Sequence, residues 1–291
     1  MANAVLPALV AVILGLAVAL IAFGPFVALA YRRYRHLTWR YVFGWLGFAI
    51  YFLAIWAYAL LPFPSPGQFK CVRPQLVPLF SVRDAFNYPH GSLGQLLHNP
   101  VLVQVGLNVI LFVPLGLFVR ALWGRGLIVT LAVALGWSFF VETTQLTGVW
   151  GVYGCAYRVF DVDDLIANTS GGLLGGVMAL ALPRGWLSPE AQPPGQPAPV
   201  TKGRRVVAMA CDGLSVWFIA AVGGLLAQRL APGQSSAAWS DWGTIWLPFA
   251  VQALSVALTG RTLGDLATML RWEPGRPAWL WRRLTRLLGG I

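Results

Sequence analysis

The chain has 291 residues, of which 57% are apolar and only 11% are charged, and its mean hydropathy is +0.67. Soluble domains carry about 25% charged residues, so the composition excludes a soluble protein and predicts an all-α, polytopic bundle of membrane helices. The net charge of +11 would suggest a nucleic-acid partner in a soluble protein. Basic residues also accumulate in the cytoplasmic loops of membrane proteins, so we expect membrane lipids as partners and no nucleic acid.

Apolar segments of about 20 residues, the length that crosses a bilayer core about 30 Å thick, recur along the chain. The first, at 4–30, is too long for the core of a signal peptide and has no basic residue before it, so we interpret it as a retained helix. The others lie at 41–61, 101–122, 127–146, 165–182, 206–230 and 243–260.

These spans fall into two parts. A five-helix part, 1–182, is separated by a proline-rich cytoplasmic linker, 183–205, from a two-helix part, 206–291. In the tail, 273–291, tryptophans and leucines are interleaved with arginines, which is typical of an amphipathic helix on the membrane surface. The alternative is a short third span of the second part with basic flanks.

The distribution of basic residues predicts the orientation. With the N-terminus outside, 16 of the 21 Lys and Arg residues fall in cytoplasmic segments, which follows the positive-inside rule. The loop at 62–100 and the start of the fifth span then lie outside the cell. We expect a multi-pass protein of the plasma membrane with an extracytoplasmic N-terminus.

Polar side chains recur at helical spacing near the predicted outer ends of the third, fourth and fifth spans. If these helices pack together, seven residues line one outward-facing polar pocket: Asn108, Glu142, Gln145, Arg158, Asp161, Asp164 and Asn168. A carboxylate inside a span costs about 2–3 kcal/mol unless it is paired, protonated or hydrated. Glu142 therefore needs a partner, and Arg158 is the nearest basic side chain in this topology.

The same residues also have structural interpretations. Asp163, at a helix start, is typical of an N-cap, and Asp161 and Asp164 can serve simply as structural partners of Arg158. The glycines of the fifth span predict close packing against a neighbouring helix; they are Gly171, Gly172, Gly175 and Gly176.

Three segments resemble, in this order, the signature segments of VanZ-like membrane proteins: NVILFVPLGLF (108–118), FFVETTQL (139–146) and YRVFDVDDLIANTSGGLLGG (157–176). The resemblance covers roughly 40–182 and includes all seven residues of the predicted pocket. It implies a bacterial membrane protein associated with glycopeptide resistance, notably with lowered susceptibility to teicoplanin.

The second part resembles the RDD family of small membrane domains, through RRVVAMACDGLSV (204–216) and GRTLGDLATMLRW (260–272). The family's Arg and first Asp fall on Arg205 and Asp212, and its Gly-x-Thr-x-Gly turn falls on 260–264. The chain departs from the family pattern at Asp265, because a basic residue usually follows that turn. A pairing of Asp212 with Arg205, two turns away on the same helix face, is the structural alternative to a functional role.

The cysteines and the remaining motifs add little chemistry. Cys71 and Cys155 both fall in extracytoplasmic loops in this topology, and that compartment permits a disulfide between them, whereas we expect Cys211 to pack within a span. The sequence has no zinc-ligand spacing, P-loop, Ser/His/Asp arrangement or Rossmann glycine pattern. Because an arginine lies close to the aspartates, a Mg²⁺ or Ca²⁺ site is disfavoured, and we expect no metal and no cofactor.

Three functions fit these patterns. The first is the binding of an amphipathic molecule, either a lipoglycopeptide such as teicoplanin or a lipid-linked cell-wall precursor, with Arg158 meeting an anionic group and the aspartates meeting amines, amides or hydroxyls. The second is an outer-leaflet enzyme that hydrolyses or transfers a lipid-linked head group, with Glu142 as general acid. The third is a proton-coupled transporter or flippase. The predicted spans show no internal repeat, which argues against this function. We rank binding first.

Overall fold

The structure of the chain is a computed structural model that describes residues 2–61, 63–65, 69–183, 186, 188–189, 199–230 and 241–270. Within these ranges the regular structure is helical apart from one isolated parallel bridge between Gln75 and Asp161, so the predicted all-α class is confirmed. The predicted amphipathic tail at 273–291 lies outside the described residues.

The helices before the linker are α1 (Ala2–Tyr34), α2 (Trp39–Leu60), α3 (Phe80–Ala85), α4 (Leu93–Leu97), α5 (Pro100–Trp123), α6 (Leu127–Leu146), α7 (Gly148–Gly151) and α8 (Val162–Met178). A 3-10 turn at Ala179–Ala181 continues α8. After the linker come α9 (Lys202–Leu230), a π-helical turn at Trp242–Trp246 that leads into α10 (Leu247–Thr259), and α11 (Leu263–Ala267). Because α9 begins at Lys202, the last residues of the predicted linker are helical.

Six of the described helices are long and apolar enough to span a membrane: Ala8–Tyr34, Trp39–Leu60, Pro100–Trp123, Leu127–Leu146, Lys202–Arg229 and Trp242–Thr259. They correspond to six of the seven predicted spans. The seventh, predicted at 165–182, is α8, whose 17 residues rise only about 26 Å. The prediction was too long at the C-terminal end, because the apolar residues 179–181 form a 3-10 turn ahead of Pro183 rather than a further turn of α-helix.

The chain forms two compact units. The first comprises residues 1–16 and 39–188, and the second comprises 17–38 together with the described residues after 188. The core of the first unit joins α2, α5 and α6 through six buried side chains: Ile55, Phe112, Leu115, Val119, Ala134 and Val141.

In the first unit, α8 packs against α5 and α6 through its glycine face. A Cβ atom on Gly171 would overlap the carbonyl oxygen of Val109, and one on Gly175 would overlap that of Val113. Because residue numbers increase in the same direction along both helices at these contacts, α5 and α8 are parallel. Only glycine lets two helix backbones approach so closely, so the close packing predicted for these glycines is confirmed.

The contacts at the two ends of α8 define its depth along α5. At the start, Asp164 accepts a hydrogen bond from Asn108, two turns into α5. At the other end, Leu180 lines the same cavity as Arg120, in the last turn of α5. The N-terminus of α8 therefore lies within about two turns of that of α5, and its C-terminal extension reaches the opposite end of the bundle.

In the second unit, α11 docks on α9 through a glycine of the turn at 260–264. A Cβ atom on Gly264 would overlap the carbonyl oxygen of Ala208 on α9. Gly223 of α9 and Gly243 of the π-helical turn make a second contact of this kind. Small residues thus bring the helices of this unit together, as is common in membrane bundles.

Candidate functional site

The N-terminus of α8 is capped by Asp161. This residue has extended backbone angles, φ −127° and ψ 123°, and its Oδ1 accepts the N–H of Asp163 at 2.8 Å. An N-cap is the residue just before the first helical one, and α8 begins at Val162. The N-cap is therefore Asp161 and not Asp163, which differs from the sequence-based interpretation.

The carboxylate of Asp163 instead holds the loop between α2 and α5, which we call the outer loop after its predicted location. Its Oδ1 accepts the N–H of Leu79 at 2.6 Å and its Oδ2 accepts that of Ser81 at 2.7 Å, and the side chain is only 6% exposed. These two N–H groups lie at the start of α3, where the helix has no partner of its own for them. Asp163 thereby fixes α3 against the start of α8.

The outer loop also runs alongside the segment that enters α8. Cys71 and Cys155 form a disulfide with a Cα–Cα distance of 5.6 Å. Beyond it, Val72 donates to the carbonyl of Ala156 at 3.0 Å, and Gln75 donates to that of Phe160 at 2.8 Å. The loop is thus tied to the backbone that carries Asp161.

Three carboxyl groups meet at this end of α8, and we call Glu142, Asp161 and Asp164 the carboxylate cluster. Glu142 is only 2% exposed, and its Oε2 accepts the N–H of Asp161 at 3.0 Å. Asp164 is half-buried, and its Oδ1 accepts the Nδ2 of Asn108 at 2.6 Å. The three groups are close enough to repel one another, and the helix N-terminus offsets part of that repulsion.

Of the three carboxyl groups in the cluster, that of Asp161 is the least buried. Burial raises the pKa of its carboxyl group, while the N–H of Asp163 and the side chain of Gln75, which hydrogen-bond to it, lower the pKa. Among the described residues, no three His, Cys, Asp or Glu side chains are arranged as a metal site. The arrangement suits hydrogen bonding to a ligand's donor groups.

Arg158 and Gln145 point away from the cluster, toward the end of α2. Arg158 donates from Nη2 to the carbonyl of Leu61 at 2.9 Å, and Gln145 donates from Nε2 to that of Ala59 at 2.9 Å. Carbonyls at a helix C-terminus lack acceptor partners within the helix and attract cations. Arg158 therefore caps α2, and within the described ranges it forms no ion pair with Glu142, the partner that its sequence position suggested.

Asn168 lies one turn deeper in α8, only 5% exposed. Its Nδ2 donates to the Oγ of Ser138 on α6 at 3.0 Å, and its Oδ1 accepts no hydrogen bond from the part of the chain that the structure describes. Of the seven predicted pocket residues, four thus come together at the start of α8, one lies below them, and two face α2.

In the second unit, the buried arginine is Arg204, at 6% exposed, whereas Arg205 is exposed. Arg204 donates from Nη2 to the carbonyls of Thr268 at 2.7 Å and Met269 at 2.8 Å, just after α11. Helical spacing in the sequence could have indicated that Arg204 is buried, because it shares a helix face with the buried residues Ala208 and Cys211.

Asp212 binds the turn at 260–264 rather than Arg205. Its Oδ1 accepts the N–H of Gly264 at 2.7 Å and the Nε2 of Gln252 at 3.0 Å. The Oε1 of Gln252 in turn accepts the N–H of Leu263 at 3.2 Å. Sequence reasoning missed Gln252, although a long polar side chain in an apolar span was the same signal that singled out Glu142.

Comparison with known proteins supports the first of the two resemblances. Residues 48–183 match the family model described as VanZ/LLP1, and no curated protein and no solved structure matches the chain. The match covers a little under half of the chain and contains the whole carboxylate cluster. It does not reach the second unit's α9–α11, for which the RDD-like assignment stays a prediction. Residues 48–183 are VanZ-like, within a chain whose six apolar helices fit a multi-pass membrane protein.

Proposed function

We propose that the protein binds the polar head of an amphipathic molecule at the carboxylate cluster and thereby contributes to glycopeptide resistance, notably to teicoplanin. The observation that carries the proposal is that Glu142, Asp161 and Asp164 meet at one helix end, while no basic side chain of the described residues forms an ion pair with them. Carboxylates in a partly dehydrated site hydrogen-bond strongly to cationic and neutral donors.

The charge of the cluster selects the chemistry of the head group. Because Arg158 donates to the carbonyl of Leu61, the cluster offers acceptors and not a cation. Amines, amides and sugar hydroxyls are donors and fit it, whereas a phosphate would be repelled. A lipid-linked cell-wall precursor would accordingly be held by its sugar and peptide groups, and a lipoglycopeptide by its amines and hydroxyls.

The surroundings of the cluster suit a ligand with an apolar tail. Next to the carboxylates, α5 exposes Leu107 and Ile110, and α8 exposes Ile166. In a bilayer these side chains face lipid, so an acyl or prenyl tail lies along them without loss of hydrophobic contact.

The predicted orientation places this site on the extracytoplasmic side of the bacterial plasma membrane. Arg120 and Arg125 mark the opposite end of the bundle, which the positive-inside rule assigns to the cytoplasm. A site on that side of the membrane is accessible to a glycopeptide or to an exported cell-wall precursor.

The burial of Glu142 favours hydrolysis or transfer of a lipid-linked head group as the second candidate function. A carboxyl group that is 2% exposed and lies beside two others is a typical arrangement for general acid catalysis. Release of the head group from a lipid-linked precursor by the purified protein, lost in Glu142→Gln, distinguishes this function from binding alone.

Susceptibility testing examines the proposed function. A Gram-positive host expressing the wild type is expected to tolerate more teicoplanin than the empty host, with unchanged tolerance of vancomycin, which lacks the lipid tail. Glu142→Gln, expressed at a matched level, is expected to lose the protection, since it replaces a carboxyl group of the cluster with an amide of the same shape.

The matched control is Asp84→Asn, which removes a carboxylate from the same outer loop, where it accepts a hydrogen bond from Asn87. It is expected to protect as the wild type does. If the wild type protects against neither antibiotic, the resistance role is wrong, and lipid-linked precursors become the ligands to assay.

A further inference from the structure

A cavity of about 420 Å³ lies at the end of the first unit opposite the carboxylate cluster. The last turn of α5, the start of α6 and the 3-10 turn after α8 enclose it, and the described part of the linker adds Trp186 and Ser188. Its volume is in the range of small-molecule sites. It shares no lining residue with the carboxylate cluster.

The charge of this cavity is entirely positive. Arg120 and Arg125 line it, and no acidic side chain does among the described residues. Arg120 donates from Nη1 to the carbonyl of Arg125 at 3.4 Å, which is a long contact, so the guanidinium keeps most of its donors for another acceptor. Two guanidinium groups in one concave site are typical of phosphate recognition.

The backbone around the cavity is compatible with an anion. The carbonyl of Arg120 accepts the N–H of Gly124, and that of Ala179 accepts the N–H of Leu182, so the helix ends present fewer free acceptors. At the start of α6 the N-cap Gly126 has no side chain to cap the first N–H groups.

We infer that this cavity binds a phosphate ester, either the head group of an anionic phospholipid of the cytoplasmic leaflet or a soluble phosphorylated molecule. Both sources share the phosphate group that the two arginines recognise. The walls contributed by Ala121, Leu180 and Leu182 suit the glycerol and upper acyl region of a lipid.

Equilibrium binding to the full-length protein in detergent tests the inference. The probes are short-chain phosphatidylglycerol and glycerol 1-phosphate, with short-chain diacylglycerol as a probe that lacks phosphate. The double variant Arg120→Gln/Arg125→Gln is expected to bind phosphatidylglycerol at least about tenfold more weakly than the wild type, the change that loss of a charge-assisted hydrogen bond produces. Diacylglycerol is expected to bind the wild type and the variant equally weakly.

Two further variants keep the inference falsifiable. Arg40→Gln removes an exposed charge at the start of α2, on the same predicted side of the membrane, and is expected to bind as the wild type does. Ala121→Trp fills the cavity without changing the charge and is expected to abolish binding. A variant counts only if it elutes as a single folded species by size exclusion.

The pattern of binding separates the two sources. Competition by glycerol 1-phosphate at concentrations similar to those of phosphatidylglycerol identifies a soluble phosphate ester, and binding of phosphatidylglycerol alone identifies a lipid head group. If Arg40→Gln weakens binding as much as the double variant does, or if neither phosphate probe binds the wild type, the inference is overturned.

Discussion

At the scale of single residues, the acidic side chains that lie around the start of α8 have different roles. Asp161 caps the helix, and Asp163 fixes the outer loop by accepting two backbone N–H groups. Glu142 accepts a hydrogen bond at 3.0 Å and Asp164 accepts one at 2.6 Å, and both carboxyl groups retain further acceptor positions for a ligand. Only the last two are therefore expected to affect ligand affinity without loosening the loop.

Asp163→Ala is expected to destabilise the outer loop by about 2 kcal/mol, because it leaves the N–H groups of Leu79 and Ser81 without their acceptors. Trypsin cleavage after the exposed Arg83, measured on the purified protein, should accelerate accordingly. Asn87→Ala, which removes only the exposed donor to Asp84 and leaves the residues beside the cleaved bond intact, should leave the rate unchanged. Equal cleavage of the Asp163→Ala variant and the wild type would show that Asp163 does not hold α3.

Helical spacing predicted which polar residues lie near the outer ends of the helices, but not which atoms they contact. Glu142 accepts a backbone N–H, and a backbone donor has no side-chain signature in a sequence. The position of Arg158 depends on the turn before it, where Val149 and Trp150 have positive φ angles of 57° and 56°. Neither residue type favours that conformation, so nothing in the sequence predicted the turn.

At the scale of secondary structure, the contact between α8 and α5 determines where the carboxylate cluster lies. Glycines let α8 approach α5 backbone to backbone, and this contact sets the register in which Asp164 meets Asn108. The spacing of the small residues in the sequence predicted that α8 packs closely against a neighbouring helix. The sequence did not predict where α8 ends, because apolar residues fit both an α-helix and a 3-10 turn.

Gly175→Ala is expected to destabilise the first unit by about 1–3 kcal/mol, since its Cβ would overlap the carbonyl oxygen of Val113. Gly136→Ala in α6 is the matched control, because a Cβ there meets no atom within 4 Å. Thermal unfolding in detergent, followed by size exclusion, should show a lower midpoint for the first variant alone. Equal midpoints would contradict the close packing of α8 on α5.

At the scale of the whole molecule, the positive-inside rule and the depth of α8 together predict the topology. Since Asp164 near the start of α8 contacts Asn108, and Leu180 after its end lines the same cavity as Arg120, we expect α8 to cross the membrane with α5 despite its 17 residues. The sequence predicted two parts separated by the proline-rich linker at 183–205, and those domain bounds stay a prediction. It did not predict that residues 17–38 cluster with the C-terminal unit, because contacts between distant segments leave no local pattern.

A tag at residue 68 is expected to react with a membrane-impermeant reagent on intact cells, and a tag at residue 195 only after the cells are permeabilised. Labelling of both tags on intact cells would mean that α8 does not cross. The reverse of the expected pattern would place the carboxylate cluster in the cytoplasm and the arginine-lined cavity outside.

The measurement that tests the central claim most directly is equilibrium binding of teicoplanin to the purified protein in lipid nanodiscs, for the wild type, Asp164→Asn and Asp84→Asn. Asp164→Asn keeps the acceptor that meets Asn108 and removes the charge, so we predict affinity about tenfold below that of the wild type, with Asp84→Asn unchanged. Equal affinity for all three proteins would contradict the assignment of the carboxylate cluster as the ligand site.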